Sequence, residues 1–335
     1  MAVEKGRIAW LDAAKGIAIA IVVASHSIGG EWFYPFSCFV MPMFFVSAGY
    51  SLNLQKWKDR KLEFFISRAK KILIPFFLIE LCFFPIWVVR SFFMPPVGTK
   101  LPPLEAFFGI FDGNCANLPI IALWFLPCFF LAENIFLLIF RDRPTEPNLR
   151  DILTALILSV IGYVIGSFKH IFWGLDIALF VQGYMIVGRF LRAVDFQKLS
   201  GIFCILLPII LITLQVYVNQ SFDMASRSYG ENPVLAYISG IFECILVMRL
   251  MQIFVQKNEE FLAEMGRRSM AIYLLHPFVQ IIISDILLLT VVNGDYGTLF
   301  YIWQAGVPIL IFGIIIPIYI SRNYSKKPFI RYLGL

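Results

Sequence analysis

Continuous apolar runs of about 20 residues recur along the chain, separated by short polar segments. A helix needs about 20 apolar residues to cross a bilayer core of about 30 Å, whereas the strands of a membrane barrel alternate apolar and polar residues. The runs do not alternate, so the pattern predicts an all-α integral membrane protein, a bundle of about ten transmembrane helices. The predicted spans are 9–29, 36–55, 72–93, 119–140, 151–168, 172–190, 201–218, 233–254, 270–291 and 299–320.

The amino-acid composition also indicates a membrane protein. Of its 335 residues, 59% are hydrophobic and 15% are charged, against about 45–50% and about 25% in soluble domains. The first span could be mistaken for a signal peptide. However, Glu4 and Asp12 stand where a signal peptide is cationic, and residues 25–27 form a poor cleavage site. We therefore interpret residues 9–29 as the first span.

The distribution of positive charge predicts the orientation, because Lys and Arg concentrate on cytoplasmic loops. With ten spans and the N-terminus inside, 23 of the 28 Lys and Arg residues fall in cytoplasmic segments. Lys15 lies within span one, and four fall outside: Arg90, Lys100, Lys169 and Arg227. We expect both termini in the cytoplasm. The net charge of +6 follows from this topology, so it indicates no nucleic-acid partner.

Span one carries three ionisable side chains, Asp12, Lys15 and His26, which within a membrane are candidates for function. Asp12 and Lys15 lie three residues apart, so a mutual ion pair near the cytoplasmic interface is the alternative to a functional role. His26 follows Lys15 by 11 residues, about 16 Å along one helix face. No structural need for an imidazole is evident there, so we expect function; a hydrogen-bonded core histidine is the alternative.

Two further embedded residues have competing interpretations. Asp176 lies near the outer end of span six, at a depth similar to that of His26. A carboxylate there would orient the imidazole and stabilise its cation; the alternative is a hydrogen-bonded interfacial Asp. His276 lies six residues into span nine, near the cytoplasm, where packing against Arg267 and Arg268 explains it equally well.

The segment after span two, residues 55–71, is predicted to be a strongly basic loop. Topology and attraction to anionic headgroups account for most of its charges. Arg68 and Lys71 stand apart because they lie three residues from each other at the start of span three, where such a pair can clamp phosphates. We expect them to bind a phosphate-bearing cytosolic donor.

The six cysteines contain no C-x-x-C pair, and most fall inside spans, where Cys behaves as a small hydrophobe. We predict no metal site. A disulfide between Cys38 and Cys115 outside the membrane is left open.

Seven sequence blocks, spread over nearly the whole chain, carry a resemblance to a known family. They are WLDAAKGIAIAIVVASH (10–26), FVMPMFFVSAGYSL (39–52), FFISRAKKILIP (64–75), LWFLPCFF (123–130), GLDIALFVQGYMIVGRF (174–190), NPVLAYISG (232–240) and MGRRSMAIYLLHPF (265–278). In this order they resemble the acyltransferase-3 family of bacterial membrane acyltransferases, and most of all its fucose 4-O-acetylase-related branch. In the second block Ala48 follows Ser47, which makes the small-residue turn one residue longer than the tightest form of the family motif.

The resemblance implies a single transmembrane acyltransferase domain, residues 1–335, in the bacterial cytoplasmic (inner) membrane. It further implies transfer of an acyl group, commonly acetyl from acetyl-CoA, to a hydroxyl of a cell-surface or lipid-linked glycan. His26 corresponds to the family's essential residue, and Arg68 to the Arg at the start of span three. Lys15 corresponds to a functional basic residue that is Arg in parts of the family, so here the charge is kept and the planar fork is lost.

Resemblance and residue pattern together predict two sets of site residues. Acyl-CoA binding is expected at Lys15, Arg68 and Lys71 on the cytoplasmic side. Catalysis is expected at His26, assisted by Asp176 and Asp12. His26 would act as a general base on a sugar hydroxyl or through an acyl-imidazole.

Two other classes of protein fit part of the pattern. A transporter or flippase of a lipid-linked saccharide suits ten helices with embedded charges, but the chain shows no paired repeat halves. A structural subunit of a glycan-assembly complex would not need the embedded His and Asp. Whether the chain forms a homo-oligomer is left open.

Overall fold

The computed structural model describes residues 8–28, 37–93, 101–142, 147–194, 201–218, 222–255, 260–290 and 303–324. The α-helices within these ranges are α1 (Ala9–Ile28), α2 (Ser37–Val40), α3 (Pro42–Ser51), α4 (Leu54–Trp57), α5 (Lys61–Arg68), α6 (Ile74–Phe93), α7 (Pro103–Asp112), α8 (Phe125–Phe140), α9 (Leu149–Phe168), α10 (Leu175–Phe180), α11 (Gln182–Ala193), α12 (Gly201–Tyr217), α13 (Pro233–Phe254), α14 (Glu260–Arg267), α15 (Ser269–Thr290) and α16 (Trp303–Tyr324). Short 3-10 helices cover Cys115–Asn117, Ile121–Trp124 and Phe172–Gly174, and a π-helix covers Ala69–Leu73.

The predicted all-α membrane architecture is confirmed. Seven described helices are long and apolar enough to cross a membrane, and the bent pair Phe172–Phe180 and Gln182–Ala193 makes an eighth if it counts as one span. Two shorter apolar helical segments, Ser37–Ser51 and Cys204–Tyr217, coincide with the remaining two predicted spans. Both chain ends lie outside the described residues, so their cytoplasmic placement stays a prediction.

Span two is shorter and less regular than predicted. The chain breaks between α2 and α3 at Met41, and Pro42 begins the new helix because its missing N–H needs no helical partner there. Leu52 is extended and ends α3, and the Asn53 side chain then caps α4 by accepting from the backbone of Lys56. Gln55 and Lys56 therefore belong to a separate short helix that Asn53 caps.

The basic segment 55–71 is not a loop, which corrects the prediction. Residues 61–93 form one continuous helical stretch, in which the π-helix at 69–73 joins α5 to α6. In α5 the apolar Phe64 is buried, whereas Lys61 and Glu63 are exposed, so the segment forms an amphipathic helix. Single π-turns inside helices occur often at functional sites, and this one begins directly after Arg68.

The cysteines of the described residues are all free, including Cys38 and Cys115. The Cys115 thiol lies 3.0 Å from the Ala225 carbonyl oxygen and donates to it. The disulfide that the sequence left open is therefore not formed in this structure.

Glycines let pairs of helices approach to backbone contact, as small residues do in membrane bundles. A Cβ atom on Gly266 of α14 would lie 1.6 Å from the Asp12 carbonyl oxygen of α1, and one on Gly16 would lie 2.2 Å from the Leu262 carbonyl oxygen. The α3–α11 pair is built in the same way, around Gly49 and Gly188. The amphipathic helix α14 is therefore packed closely against the N-terminal half of α1.

We expect Gly266→Ala to destabilise the protein, because the new methyl group meets backbone that cannot rotate away. Overpacking of this kind costs about 1–3 kcal/mol. The melting temperature of the detergent-solubilised variant should fall clearly. Val164→Ala, on an exposed face of α9, is the control and should leave it almost unchanged. An unaltered melting temperature for Gly266→Ala would contradict the close α1–α14 contact.

Candidate active site

His26 lies in the last turn of α1 and has an accessible side chain. Its neighbours Val23, Ala24 and Ser27 on the same helix are buried. The imidazole of His26 is therefore open to a reactant, although the helical turn that carries it is packed inside the protein.

Helix α15 is fixed against α1 beside His26. The Gln280 amide nitrogen donates to the Val23 carbonyl oxygen at 3.1 Å and to the Ser27 hydroxyl at 2.8 Å. Ser27 in turn donates to the Val23 carbonyl oxygen at 2.6 Å. All three residues are buried. This polar bridge flanks His26 and holds the backbone of its helical turn against α15.

A second histidine lies next to His26, which sequence reasoning missed. The ring centroids of His26 and His276 are 5.7 Å apart, with the ring planes tilted by 31°. The sequence placed His276 near the cytoplasm and His26 at the depth of the outer end of span six, so their contact shows that these relative depths were wrong. Arg267 and Arg268, the predicted packing partners of His276, bind Glu264. The sequence contained one sign of this, because Pro277 follows His276 and cannot donate a hydrogen bond to the carbonyl of Tyr273. A proline at this position marks an irregular helical turn next to the histidine.

Glu264 and its two arginines form a polar cluster on α14, outside the membrane-spanning helices. Partial burial of Glu264 disfavours its carboxylate, but hydrogen bonds from Arg268 and Arg267 outweigh this and lower the pKa of Glu264. Arg268 also donates to the Ser321 hydroxyl of α16 at 2.7 Å. These contacts tie the first turns of α15 to α16 and account for the two arginines without His276.

Asp12 and Lys15 pair with each other on α1. The Lys15 ammonium lies 2.7 Å from the Asp12 carboxylate, and the Lys15 side chain is one-quarter exposed. This is the ion pair that the sequence offered as the alternative to a functional role. It leaves the Lys15 ammonium with free hydrogen-bonding capacity, since an ammonium has three donors. Binding of an acyl-CoA by Lys15 stays a prediction, as does a catalytic contribution of Asp12.

Arg68 is held by a buried carboxylate of the most enclosed spanning helix, α8. Its guanidinium donates to Glu133 at 3.0 Å and lies over the Phe64 ring at 5.1 Å. Glu133 is buried, Arg68 is about one-third exposed, and Lys71 is exposed within electrostatic range of Glu133. One edge of the Arg68 fork is therefore anchored while the side chain remains accessible. Arg68 and Lys71 both interact with Glu133, and their binding of an acyl-CoA stays a prediction.

Asp176 does not contact His26 in this structure. Its two carboxylate oxygens accept hydrogen bonds from Arg227 at 2.8 and 3.2 Å, and both side chains are almost completely buried. Burial disfavours the guanidinium, but the hydrogen bonds to Asp176 outweigh it and raise the pKa of Arg227. These contacts agree with the alternative given in the sequence analysis, in which Asp176 is a hydrogen-bonded interfacial residue.

The partner of Asp176 belongs to a tight turn that reaches towards His26. Asp223 and Ser228 exchange backbone hydrogen bonds at 2.7 and 3.0 Å, and Arg227 has a positive φ of 58° inside the turn. Asp223, rather than Asp176, interacts electrostatically with His26. Sequence reasoning missed Asp223 because its segment is a polar connection without periodicity. The Asp176–Arg227 pair therefore holds a turn that places another carboxylate near the imidazole.

These features define an integral membrane protein whose ionisable side chains line its interior and pair across helices. The family model described as an acyltransferase domain, that of the acyltransferase-3 family, matches residues 8–322, nearly the whole chain. The chain belongs to this family and is a multi-pass membrane acyltransferase. No curated protein and no solved structure matches it. The predicted family is thus confirmed and the transporter interpretation is not favoured, while the fucose 4-O-acetylase-related branch stays a prediction.

We expect Asp176→Asn to act mainly through stability. Removing the carboxylate leaves the Arg227 guanidinium buried without its counterion, at a cost of about 3 kcal/mol. The double variant Asp176→Asn with Arg227→Met should recover part of that loss, as measured by melting temperature in detergent.

The matched control is Glu63→Gln, which breaks the exposed Arg60–Glu63 pair and should not shift the melting temperature. A stable Asp176→Asn protein that has lost acyl transfer would instead give Asp176 a direct role in the chemistry.

Proposed function

We propose that this chain transfers an acetyl group from acetyl-CoA to a hydroxyl of a cell-surface or lipid-linked glycan, in a bacterial cytoplasmic membrane. One observation carries the proposal: the chain belongs to an acyltransferase family, and the imidazole of His26, on a membrane-spanning helix, is accessible. Acyl transfer to a hydroxyl needs a base or a nucleophile close to neutral pH, and an imidazole supplies either.

The reaction balances with His26 alone carrying the proton. A ring nitrogen takes the proton of the acceptor hydroxyl while the oxygen attacks the thioester carbonyl. The carbon–sulfur bond then breaks, and the thiolate of CoA receives the proton from the imidazolium. In the covalent alternative, the ring nitrogen attacks the thioester carbonyl first, the carbon–sulfur bond breaks, and the thiolate takes the proton of the other ring nitrogen. The hydroxyl oxygen then attacks the acyl-imidazole, the carbon–nitrogen bond breaks, and the hydroxyl proton returns to the imidazole. Both routes yield one ester and one thiol.

The basic side chains at the other end of α1 suit the donor. Arg68 and Lys71 lie together, and Arg68 is anchored by Glu133 so that its planar fork is pre-oriented. CoA carries several phosphate groups, which Arg binds with paired, charge-assisted hydrogen bonds. We place the nucleotide against these two residues, on the side that the charge distribution assigns to the cytoplasm.

We place Lys15 as a third positive charge on the path from the donor site to His26. It lies 11 residues before His26 on α1, which corresponds to about 16 Å along the helix. The acyl-bearing arm of CoA would extend along this face, with its thioester at His26. Asp12 keeps the Lys15 ammonium at the helix surface through their 2.7 Å pair.

The acceptor would approach from the other end of the site. The Asp223 turn lies within electrostatic range of His26, and its aspartate already bonds to the Ala225 amide and the Ser226 hydroxyl. This turn would form the wall against which the sugar hydroxyl is placed. Asp176 contributes by holding Arg227, so we assign it a positioning role.

Replacing His26 tests the chemical step. In proteoliposomes supplied with radiolabelled acetyl-CoA and the lipid-linked glycan fraction of the producing cell, His26→Ala should lower kcat about 10²-fold or more, because a base is lost. His170→Ala, at an exposed loop histidine, should keep full activity. Full acetyl transfer by His26→Ala would overturn the proposed mechanism. Failure of the unaltered protein to transfer label would overturn the proposed donor or acceptor.

Replacing Arg68 tests the donor site. Arg68→Ala should raise the KM for acetyl-CoA about tenfold, since a hydrogen bond to a charged group contributes about 1.5–3 kcal/mol, and should leave the KM for the acceptor unchanged. Arg60→Ala removes an arginine from the same basic segment without a buried partner and should change neither value. An effect of Arg68→Ala confined to the acceptor would contradict the assignment.

A further inference from the structure

We propose that His276 is the positioning residue for His26. Its Nε2 accepts a hydrogen bond from an N–H of His26, directly or through one water, and thereby leaves the other nitrogen of His26 as the base or nucleophile. The inference rests on the proposed function, in which His26 is the reacting group. It assigns a role to a buried histidine that the acyl-transfer scheme above does not use.

The tautomer of His276 follows from its one described hydrogen bond. Its Nδ1 lies 2.9 Å from the Ile272 carbonyl oxygen, and a carbonyl can only accept, so Nδ1 carries the proton. In a neutral imidazole Nε2 then carries a lone pair and acts as an acceptor. His276 is fully buried, and within the described part of the chain its Nε2 has no hydrogen-bond partner.

A buried acceptor without a partner is unfavourable, and most buried polar atoms in folded proteins are paired. Nε2 of His276 therefore requires a donor, and the neighbouring imidazole of His26, at a centroid separation of 5.7 Å, can provide one. A modest side-chain rotation or one bridging water converts that separation into a hydrogen bond, and catalytic contacts commonly tighten when substrate binds.

The surroundings of His276 fix its ring more firmly than that of His26. Tyr273 lies 6.0 Å from the His276 ring and donates its hydroxyl to the Ala122 carbonyl oxygen. A Cβ atom added to Gly313 of α16 would lie 3.9 Å from the His276 Cβ atom, so that helix packs closely against His276. One ring is therefore locked and enclosed, whereas the other is accessible. This is the arrangement expected of an orienting group behind a reacting one.

The arrangement uses the logic of a catalytic triad with a neutral imidazole in place of the carboxylate. One His26 nitrogen donates to His276 and the other faces the reactants. When His26 takes the hydroxyl proton, both its nitrogens carry hydrogen, and the His276 lone pair stabilises the N–H that faces it. The proton acquired from the hydroxyl then passes to the departing sulfur, and His276 itself remains unchanged.

Two amide substitutions separate this role from simple packing. Asn at position 276 can keep a donor near Nδ1 for the Ile272 carbonyl but has no acceptor near Nε2. Gln can place its oxygen near Nε2 but loses the Nδ1 donor. We expect His276→Asn to lower kcat about 10–100-fold with the KM for acetyl-CoA unchanged, and His276→Gln to stay within about threefold of the unaltered enzyme. A purely structural role predicts the opposite order, and finding that order, or equal effects, would overturn the proposal.

A second measurement does not depend on acyl transfer. The chain has three histidines, so modification of each by diethyl pyrocarbonate can be followed by peptide mass spectrometry in the folded protein. His26→Ala identifies the His26 signal, and the exposed His170 serves as an internal control. His276→Asn should slow modification of His26 several-fold and His276→Gln should not, while His170 reacts equally in all variants.

The two measurements distinguish the possible failures. If His26 is modified at the same rate in His276→Asn and His276→Gln, the pairing of the two histidines is overturned, whatever the enzyme transfers. If the two rates differ as expected but the protein transfers no acetyl group, the pair is supported and the proposed function is overturned. Melting temperatures of both variants in detergent show that the comparison is made between folded proteins.

Discussion

Within a bilayer core, polar groups find no water, and this constraint organises the polar side chains of the chain. Each must have a partner inside the protein or lie where a cavity admits water. Arg90 of α6 meets Asp285 of α15 at 2.6 Å, and Arg68 of α5 meets the buried Glu133 of α8 at 3.0 Å. Both pairs join helices that are distant in sequence. Ion pairing therefore contributes to the arrangement of the bundle as well as to its electrostatics.

Against that background, His276 has a buried nitrogen without a hydrogen-bond partner among the described residues, and it lies next to the accessible ring of His26. Both occur where α15 is fastened to α1 through Gln280. Arg68 is likewise anchored on one edge and accessible on the other. The chain thus combines rigidly held partners with accessible candidate groups, which is the condition for pre-organised catalysis.

Helix irregularities lie next to the site residues. The π-helix begins directly after Arg68, the bend between α10 and α11 follows Asp176 by five residues, and Pro277 follows His276. Such breaks let a helix re-aim a side chain without leaving the membrane, provided that neighbouring helices satisfy the freed backbone groups. The apolar pattern showed neither the π-turn nor the short, broken second span. Hydropathy averages composition over a window, so it does not detect one extra residue in a helical turn or a break at a single residue.

The sequence by itself determined the class of fold, because continuous apolar runs of this length can only be helices in lipid. Its motifs also identified the family. Residue spacing placed Arg68 near Lys71 and offered the Asp12–Lys15 ion pair as one of two interpretations, and both concern residues that are close in sequence. Only the tertiary structure decided which distant side chains meet. It paired Asp176 with Arg227 and brought His276 to His26. The physical reason is that the apolar pattern shows which segments are helices, whereas the relative depth, rotation and tilt of two helices depend on close packing at glycines and on polar bridges that a single helix does not contain.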